Sequence, residues 1–261
     1  MIPVDVNCWI GGYPFRHLPH PDPDVLARVL AREGLDGAWV GYLPSAFHRD
    51  PAPGNAHLYE ALAPHPTLRP APSIRPDWPR WEREVADAVS RGAPAVRAYP
   101  AQWGMGPGDP TLARLASACA EAGVAVLLTV RFEDLRQRHA LDVAPDLGAP
   151  HVRALVRGTR AQVVMLHAGR ELIEETHWSL TEAERARVWF DFSWVWGPPE
   201  DHLATLFRTI GPQRFVFGTG WPLRLAQSPR ANLDLLPDAL RGATPSDGAV
   251  VAARAREGAG R

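Results

Sequence analysis

Residues 109–130, DPTLARLASACAEAGVAVLLTV, contain the unit from which the fold is built. The opening Asp-Pro pair is typical of a helix start, because the aspartate can accept bonds from free amides and proline fits the first turn. A helix is predicted over Thr111–Glu121, and Gly123 suits the left-handed position that ends a helix. The run Val124–Val130 is apolar throughout, which is typical of a strand buried on both faces of a parallel sheet.

The same alternation of helical and apolar runs extends over most of the chain. Strands are predicted at Pro3–Trp9, Gly37–Leu43, Leu68–Ile74, Ala95–Tyr99, Val124–Val130, Gln162–His167, Val188–Ser193 and Arg214–Gly218. Helices are predicted at Pro23–Glu33, Ala56–Ala63, Trp78–Arg91, Thr111–Glu121, His151–Arg157, Pro199–Ile210 and Asn232–Leu240, with a broken helical region around Arg170–Arg185. Asp22 and Asp77 are predicted N-caps.

Eight strands in alternation with helices predict an α/β protein with a (β/α)8 TIM barrel. An open doubly wound sheet is the alternative. It is disfavoured because Gly11-Gly12 leads into Tyr13-Pro14 and not into a phosphate-binding loop and helix. We expect one barrel domain over residues 1–243 and a C-terminal tail over 244–261 that is partly helical or frayed.

The composition excludes several chemistries and classes of partner. The chain has 261 residues and a formal net charge of -1, and all 28 of its Lys and Arg residues are arginine. Without lysine there is no Schiff base, no P-loop and no carbamylated lysine to bridge two metals. The balanced charge gives no general attraction to nucleic acid, and no apolar run is long enough to span a membrane. No signal peptide is recognisable, and Cys8 and Cys119 do not form a disulfide framework, so a cytoplasmic protein is expected.

Four motifs, in order along the chain, resemble those of one known family. The family is the amidohydrolase-related (amidohydrolase 2) family. Its opening D-x-H-x-H motif resembles Val4–Trp9 (VDVNCW), and its strand-five segment that ends in histidine resembles Gly123–Thr129. Its strand-six H-x-G motif resembles Leu166–Gly169 (LHAG), and its F-G-T-D-x-P motif resembles Phe217–Pro222 (FGTGWP). That family comprises TIM-barrel metal-dependent hydrolases and a branch of decarboxylases. The resemblance covers nearly the whole chain and implies an amidohydrolase-like barrel, with its site at the carboxyl ends of the strands.

The chain departs from the family at most of the implied metal ligands. The family pattern has two histidines on strand one, one histidine each on strands five and six, and an aspartate on strand eight. The matching residues here are Asn7, Trp9, Thr129, His167 and Gly220. A catalytic zinc needs about three ligands from His, Cys or carboxylate, so we expect a divergent member with no family metal centre and no cofactor. The alternative is one divalent metal such as zinc at Asp5, His139 and His167.

Arginines occupy the strand ends where the metal would lie in the family. Arg75, Arg97 and Arg131 follow or end strands three, four and five. Either they pair with carboxylates at the surface, or they converge into a site for a carboxylate or phosphate. In the second case Arg75, Arg97, Arg131, Asn7, Tyr99 and Trp221 are the candidate substrate-binding residues.

Four residues are candidates for proton transfer. His167 and Asp5 end or begin buried strands, and Asp134 could orient His139 to form an acid/base pair. Alternatively, Asp134 forms a helical salt bridge with Arg138. We therefore expect a hydrolase or lyase for a small anionic substrate such as a lactone or carboxylate. The alternative is a catalytically degenerate barrel that serves as a ligand-binding or scaffold protein. No nucleic acid or membrane partner is expected, and a homo-oligomer is possible.

Overall fold

The computed structural model describes residues 2–19 and 21–259. Its strands are β1 (Ile2–Ile10), β2 (Leu35–Tyr42), β3 (Leu68–Pro70), β4 (Ala95–Ala98), β5 (Ala125–Thr129), β6 (Val163–Leu166), β7 (Val188–Asp191) and β8 (Phe215–Val216). Its helices are α1 (Pro23–Arg32), α2 (Ala52–Leu62), α3 (Trp81–Ser90), α4 (Pro110–Ala122), α5 (Ala149–Val156), α6 (Arg170–Trp178), α7 (Glu182–Arg185), α8 (His202–Thr209), α9 (Gln227–Asp234) and α10 (Gly248–Ala259). All eight predicted strands are therefore confirmed.

The eight strands close into a parallel barrel. β1, β2 and β3 form one sheet, and β4 to β8 form another in sequence order. Parallel bridges between Ser73 and Arg97 and between Cys8 and Trp221 join the two sheets at both edges. The TIM-barrel prediction is confirmed, and the site region lies where the carboxyl ends of the strands meet.

The helix signals hold in α4 but not in α3. The Asp109 side chain accepts a hydrogen bond from the Thr111 amide at 2.9 Å, and Gly123 ends α4 with a φ of 70°. Asp77, by contrast, is not an N-cap, because its carboxylate accepts two bonds from the Arg75 guanidinium at 2.8 and 3.0 Å. Helix α3 consequently begins at Trp81, three residues later than the sequence pattern predicts.

The C-terminal segment forms a helix that packs under the barrel. Residues 248–259 form α10, and residues 260 and 261, where fraying is expected, lie outside the described part. Val251 and Ala252 of α10 belong to a buried cluster with the barrel residues Val6, Trp39 and Trp189. The helix thus covers the amino end of the barrel, opposite the candidate site. Among the described residues, no helix is long and apolar enough to cross a membrane.

Candidate functional site

Five polar side chains are completely buried at the centre of the carboxyl end of the barrel. They are Asp5, Asn7, Arg97, His167 and Asp191, each with 0% relative exposure. Burying a polar group costs free energy of folding unless the group is hydrogen-bonded, so each of these side chains is expected to have hydrogen-bond partners.

Asp191 is the centre of this network. Its Oδ2 atom accepts hydrogen bonds from Asn7 Nδ2 at 2.6 Å and from Ser193 Oγ at 2.9 Å, and its Oδ1 atom accepts from the His167 amide at 2.9 Å. Burial raises the pKa of Asp191 to about 7, against these hydrogen bonds, which lower it. Asp191 was not among the predicted site residues, although it ends β7, a position at which barrel enzymes place functional groups.

Asp5 joins the first strand to the segment after the last one. Its carboxylate accepts from Thr219 Oγ1 at 2.6 Å, from the Thr219 amide at 3.1 Å and from the Asn7 amide at 2.9 Å. Burial raises the pKa of Asp5, and these bonds oppose the rise. With its oxygens engaged in this way, Asp5 fits a structural link between strands better than the expected proton-transfer role.

Arg97 and Trp9 fill the centre of the carboxyl end of the barrel, which we call the mouth. The Arg97 guanidinium donates to Asn7 Oδ1 at 3.3 Å and to the Cys8 carbonyl at 3.0 Å, and it lies 4.4 Å above the Trp9 ring. Trp9 is fully buried, donates from Nε1 to Tyr99 Oη at 3.1 Å and packs edge-on to His167 at 5.2 Å between ring centres. In the family pattern position 9 is a histidine ligand, so an indole and a guanidinium occupy this region instead.

His167 and Arg97 each have one buried polar atom without a partner among the described residues, and the one on His167 is an acceptor. The Nδ1 atom of His167 lies 2.8 Å from the Arg131 carbonyl, and Nδ1 carries the proton because a carbonyl only accepts. Burial lowers the pKa of His167 to about 3, so the ring is neutral and Nε2 holds a lone pair. Nε2 is buried and has no hydrogen-bond partner among the described residues. The residue also has a φ of 61°, an uncommon conformation for a side chain that is not glycine.

Two arginines face one tryptophan beside His167. The Arg131 and Arg224 guanidiniums lie 5.5 and 4.6 Å from the centre of the Trp194 ring, which is itself 5.7 Å from the His167 ring. Arg131 is paired with Asp146 at 3.1 Å. Arg224 has no carboxylate within salt-bridge distance in the described part of the chain. Arg224, which lies in the loop after β8, was not among the predicted site residues.

The structure does not bring the other predicted residues into this group. His139 is exposed, stacks on Phe15 and accepts the Leu141 amide at 3.1 Å. Asp134 bonds Arg136 at 2.8 Å, so neither the Asp134–His139 pair nor the Asp134–Arg138 bridge forms. Arg138 instead pairs with Asp146 and donates to the carbonyls of Ala144 and Glu133, and residues 131–148 form a loop before α5.

Arg75 and Trp221 lie nearer the edge of the mouth. Arg75 is held by Asp77 and lies 5.9 Å from the rings of Trp78 and Trp103. Trp221 is partly buried, and its backbone pairs with Cys8 and Trp9, so it helps to close the barrel.

The donor set does not fit the metal centre that the family pattern implies. Asn7, Trp9, Thr129 and Gly220 stand at four of the five ligand positions, and only His167 is a good ligand for zinc. No group of three or more His, Cys, Asp or Glu side chains within residues 2–19 and 21–259 could hold a metal ion. The structure does not bring together Asp5, His139 and His167, the residues of the alternative site, because His139 is exposed on the loop after β5.

A family model matches the chain, but the comparison with functionally curated proteins gives no match. The amidohydrolase family model matches residues 52–250, well over half of the chain. No functionally curated protein matches the sequence.

Several solved structures share the fold. A probable 2-pyrone-4,6-dicarboxylic acid hydrolase of Acinetobacter baumannii, solved with citric acid bound, is 11% identical with a TM-score of 0.59, over 90% of this chain and 91% of that chain. The 5-carboxyvanillate decarboxylase of Sphingomonas paucimobilis is 12% identical with a TM-score of 0.65, over 97% and 98%. A dihydroxybenzoic acid decarboxylase of Polaromonas sp. JS666, solved with manganese and 2-nitroresorcinol, is 14% identical with a TM-score of 0.60, over 90% and 86%. At these identities the likeness shows the fold alone.

Proposed function

Because this chain belongs to the amidohydrolase family, we propose that it is a hydrolase or lyase that acts on a small organic anion, such as a lactone or carboxylate, without the family's metal centre. The observation that carries the proposal is the lone Nε2 acceptor of neutral His167, which lies beside two arginines that face Trp194. A buried acceptor without a donor costs about 1–3 kcal/mol, which favours a bound donor in the working protein.

The roles of these residues follow from their chemistry. Arg131 and Arg224 would hold the anionic group, because guanidiniums bind planar oxyanions through two parallel hydrogen bonds. His167 would accept a proton at Nε2 from water or substrate, while the Arg131 carbonyl fixes the tautomer through Nδ1. The Arg224 side chain lies beside Nε2, since its Cδ atom is 3.6 Å from where a Cβ at residue 220 would be. Because His167 is fully buried, substrate access to Nε2 requires the residues around it to move apart.

The solved relatives support an anionic substrate. Their names specify a dicarboxylic acid, a carboxyvanillate and a dihydroxybenzoic acid, and each of these compounds carries a carboxylate. Loss of the metal ligands favours activated esters, decarboxylation or dehydration over hydrolysis of an unactivated amide.

A panel of lactones and carboxylates, followed by mass spectrometry of the products, tests the proposal. We expect turnover of at least one compound by the wild-type protein and a loss of about 100-fold in His167→Asn, because general base catalysis contributes about 10²–10⁴. Asparagine is chosen because it tolerates positive φ. Arg224→Gln should mainly raise KM. The matched control is Arg28→Gln on the exposed face of α1. Undiminished turnover in His167→Asn would refute the base role.

The Trp9 side chain favours a second candidate, a non-catalytic ligand-binding or scaffold barrel. It fills the position of a family ligand and is fully buried. In that case the protein binds an anion at Arg131 and Arg224 but turns over no compound of the panel.

A cytoplasmic location and a homo-oligomeric state stay predictions. Light scattering of the purified protein tests the oligomeric state.

A further inference from the structure

A second cluster of arginines surrounds a cavity at the opposite end of the barrel. The cavity has a volume of about 370 Å³, and its charged lining residues are Arg160, Arg187, Arg254 and Glu257. Arg160 and Arg187 precede β6 and β7, whereas His167 and Asp191 follow or end the same strands. The cavity is therefore separated from the candidate active site by the length of the barrel.

The positive charge of this cavity is largely uncompensated. Within the described residues, neither the three lining arginines nor the neighbouring Arg214 has a carboxylate within 4.0 Å. Glu257 is the one acidic side chain in the lining. The Nη1 atom of Arg187 is buried and has no hydrogen-bond partner in the described part of the chain. Arg160 and Arg254 are exposed and solvated, whereas the buried Nη1 donor of Arg187 is unfavourable unless an acceptor such as an oxyanion joins it.

Packing holds two of these guanidiniums near the cavity. Arg214 and Arg254 lie 4.6 and 5.4 Å from the centre of the same indole, that of Trp189. Arg214 also donates to the carbonyls of Arg185 and Ala186 at 3.1 and 2.8 Å. Burial lowers the pKa of Arg214, and the positive charge of Arg254 lowers it further. Donors fixed in this way lose little conformational freedom when they bind a ligand.

We propose that this cavity is a binding site for a small multivalent oxyanion, either a phosphorylated metabolite or a polycarboxylate. Guanidiniums match both oxyanions geometrically, and a cavity of this size fits a small molecule. The ligand joins the starts of β6 and β7 to α10, because Arg254 lies on α10. Binding therefore tightens the helix that covers the amino end of the barrel.

Calorimetric titration with pyrophosphate and with citrate, at constant ionic strength, tests this site. We expect saturable binding of at least one anion by the wild-type protein and Kd values about tenfold or more weaker in Arg160→Gln and Arg254→Gln, since each removes a charge-assisted contact. Both side chains are exposed, so these variants keep the core intact. Glu257→Gln should tighten binding by removing repulsion. The better-bound anion distinguishes the phosphate from the carboxylate source.

Two variants make the outcome specific. Arg83→Gln, on the exposed face of α3, is the matched control and should bind as the wild type does. Arg224→Gln removes an anion contact of the proposed active site only, so the binding that Arg160→Gln and Arg254→Gln weaken should persist in Arg224→Gln, and the two proposals fail independently. Absence of saturable binding in the wild-type protein, or equal Kd values in wild type and Arg160→Gln, would overturn the proposal.

Discussion

The Nε2 atom of His167 lies 2.6 Å from the position that a Cβ atom at residue 220 would take. Gly220 has a φ of 75°, so the backbone there also disfavours other residues. The absence of an aspartate at position 220 of the FGTD-like motif and the placement of His167 are thus sterically linked. An aspartate cannot be restored at position 220 unless His167 moves.

Gly220→Ala should lower the free energy of unfolding by about 2–4 kcal/mol, from backbone strain together with the clash at His167. Gly104→Ala is the matched control, since Gly104 has a φ of 71° but would meet no atom within 4 Å. That variant should lose only about 1 kcal/mol. Urea unfolding of both variants gives the comparison, and equal losses would show that the contact with His167 has no energetic weight.

Measurement of the metal content tests whether the residues at the family's metal-ligand positions can still hold a metal ion. After incubation with excess zinc or manganese and gel filtration, the protein should retain well under one equivalent, because about three good ligands are needed and, of the five family ligand positions, only that of His167 carries one. Elemental analysis by mass spectrometry provides the measurement. One tightly bound equivalent would contradict the prediction and would restore a metal-dependent reading of the site.

The buried histidine should make the protein less stable in mild acid. The pKa of His167 is lowered from 6.5 to about 3, so between these values the unfolded chain binds a proton that the folded protein does not. Its contribution to stability is present above pH 6.5 and is lost as the pH falls toward 3. His167→Asn should therefore show a smaller fall in Tm than the wild type over that range.

Asp191 should act with the opposite sign. Its pKa is raised from 3.8 to about 7, so its favourable contribution is present below pH 3.8 and is lost as the pH rises through 7. Asp191→Asn removes this dependence. The difference in Tm between Asp191→Asn and wild type should shift in favour of the variant from pH 4 to pH 8. A constant difference would show that Asp191 titrates alike in both states.

Arg97→Met should destabilise the barrel by about 3–5 kcal/mol, the usual cost of removing one partner from a buried charged network. Asp191 would then lose a compensating positive charge. The double variant Arg97→Met, Asp191→Asn should recover part of the loss, because the remaining buried charge is also removed. Urea unfolding of the single and double variants completes the cycle, and strict additivity would refute the coupling.

The repetitive parts of the fold could be predicted from the sequence because their signals are local. Gly123 and the apolar run after it define a helix end and a buried strand without reference to the rest of the chain. Asp77 shows the limit of such signals. An aspartate before a helical pattern is an N-cap only if no stronger partner is near, and here Arg75, two residues earlier, takes both carboxylate oxygens.

The candidate site was predictable only in part. The motif match identified His167, but the group around it depends on contacts between distant segments, such as Asn7 with Asp191. His139 was misplaced because the loop after β5 carries it outward, a path that residue spacing does not encode. Arg224 and Trp194 were not grouped because nothing in their local sequence indicates that they meet.

The position of α10 has a consequence for synthesis on the ribosome. β1 is made first, yet Val6 is covered by a helix that begins at Gly248, where a Cβ would meet Val6 at 2.7 Å. Until that late segment emerges, a nascent chain exposes the apolar amino end of its barrel to chaperones and to other chains. Translation that stops before residue 248 therefore leaves a barrel whose apolar amino end is uncovered and prone to aggregation.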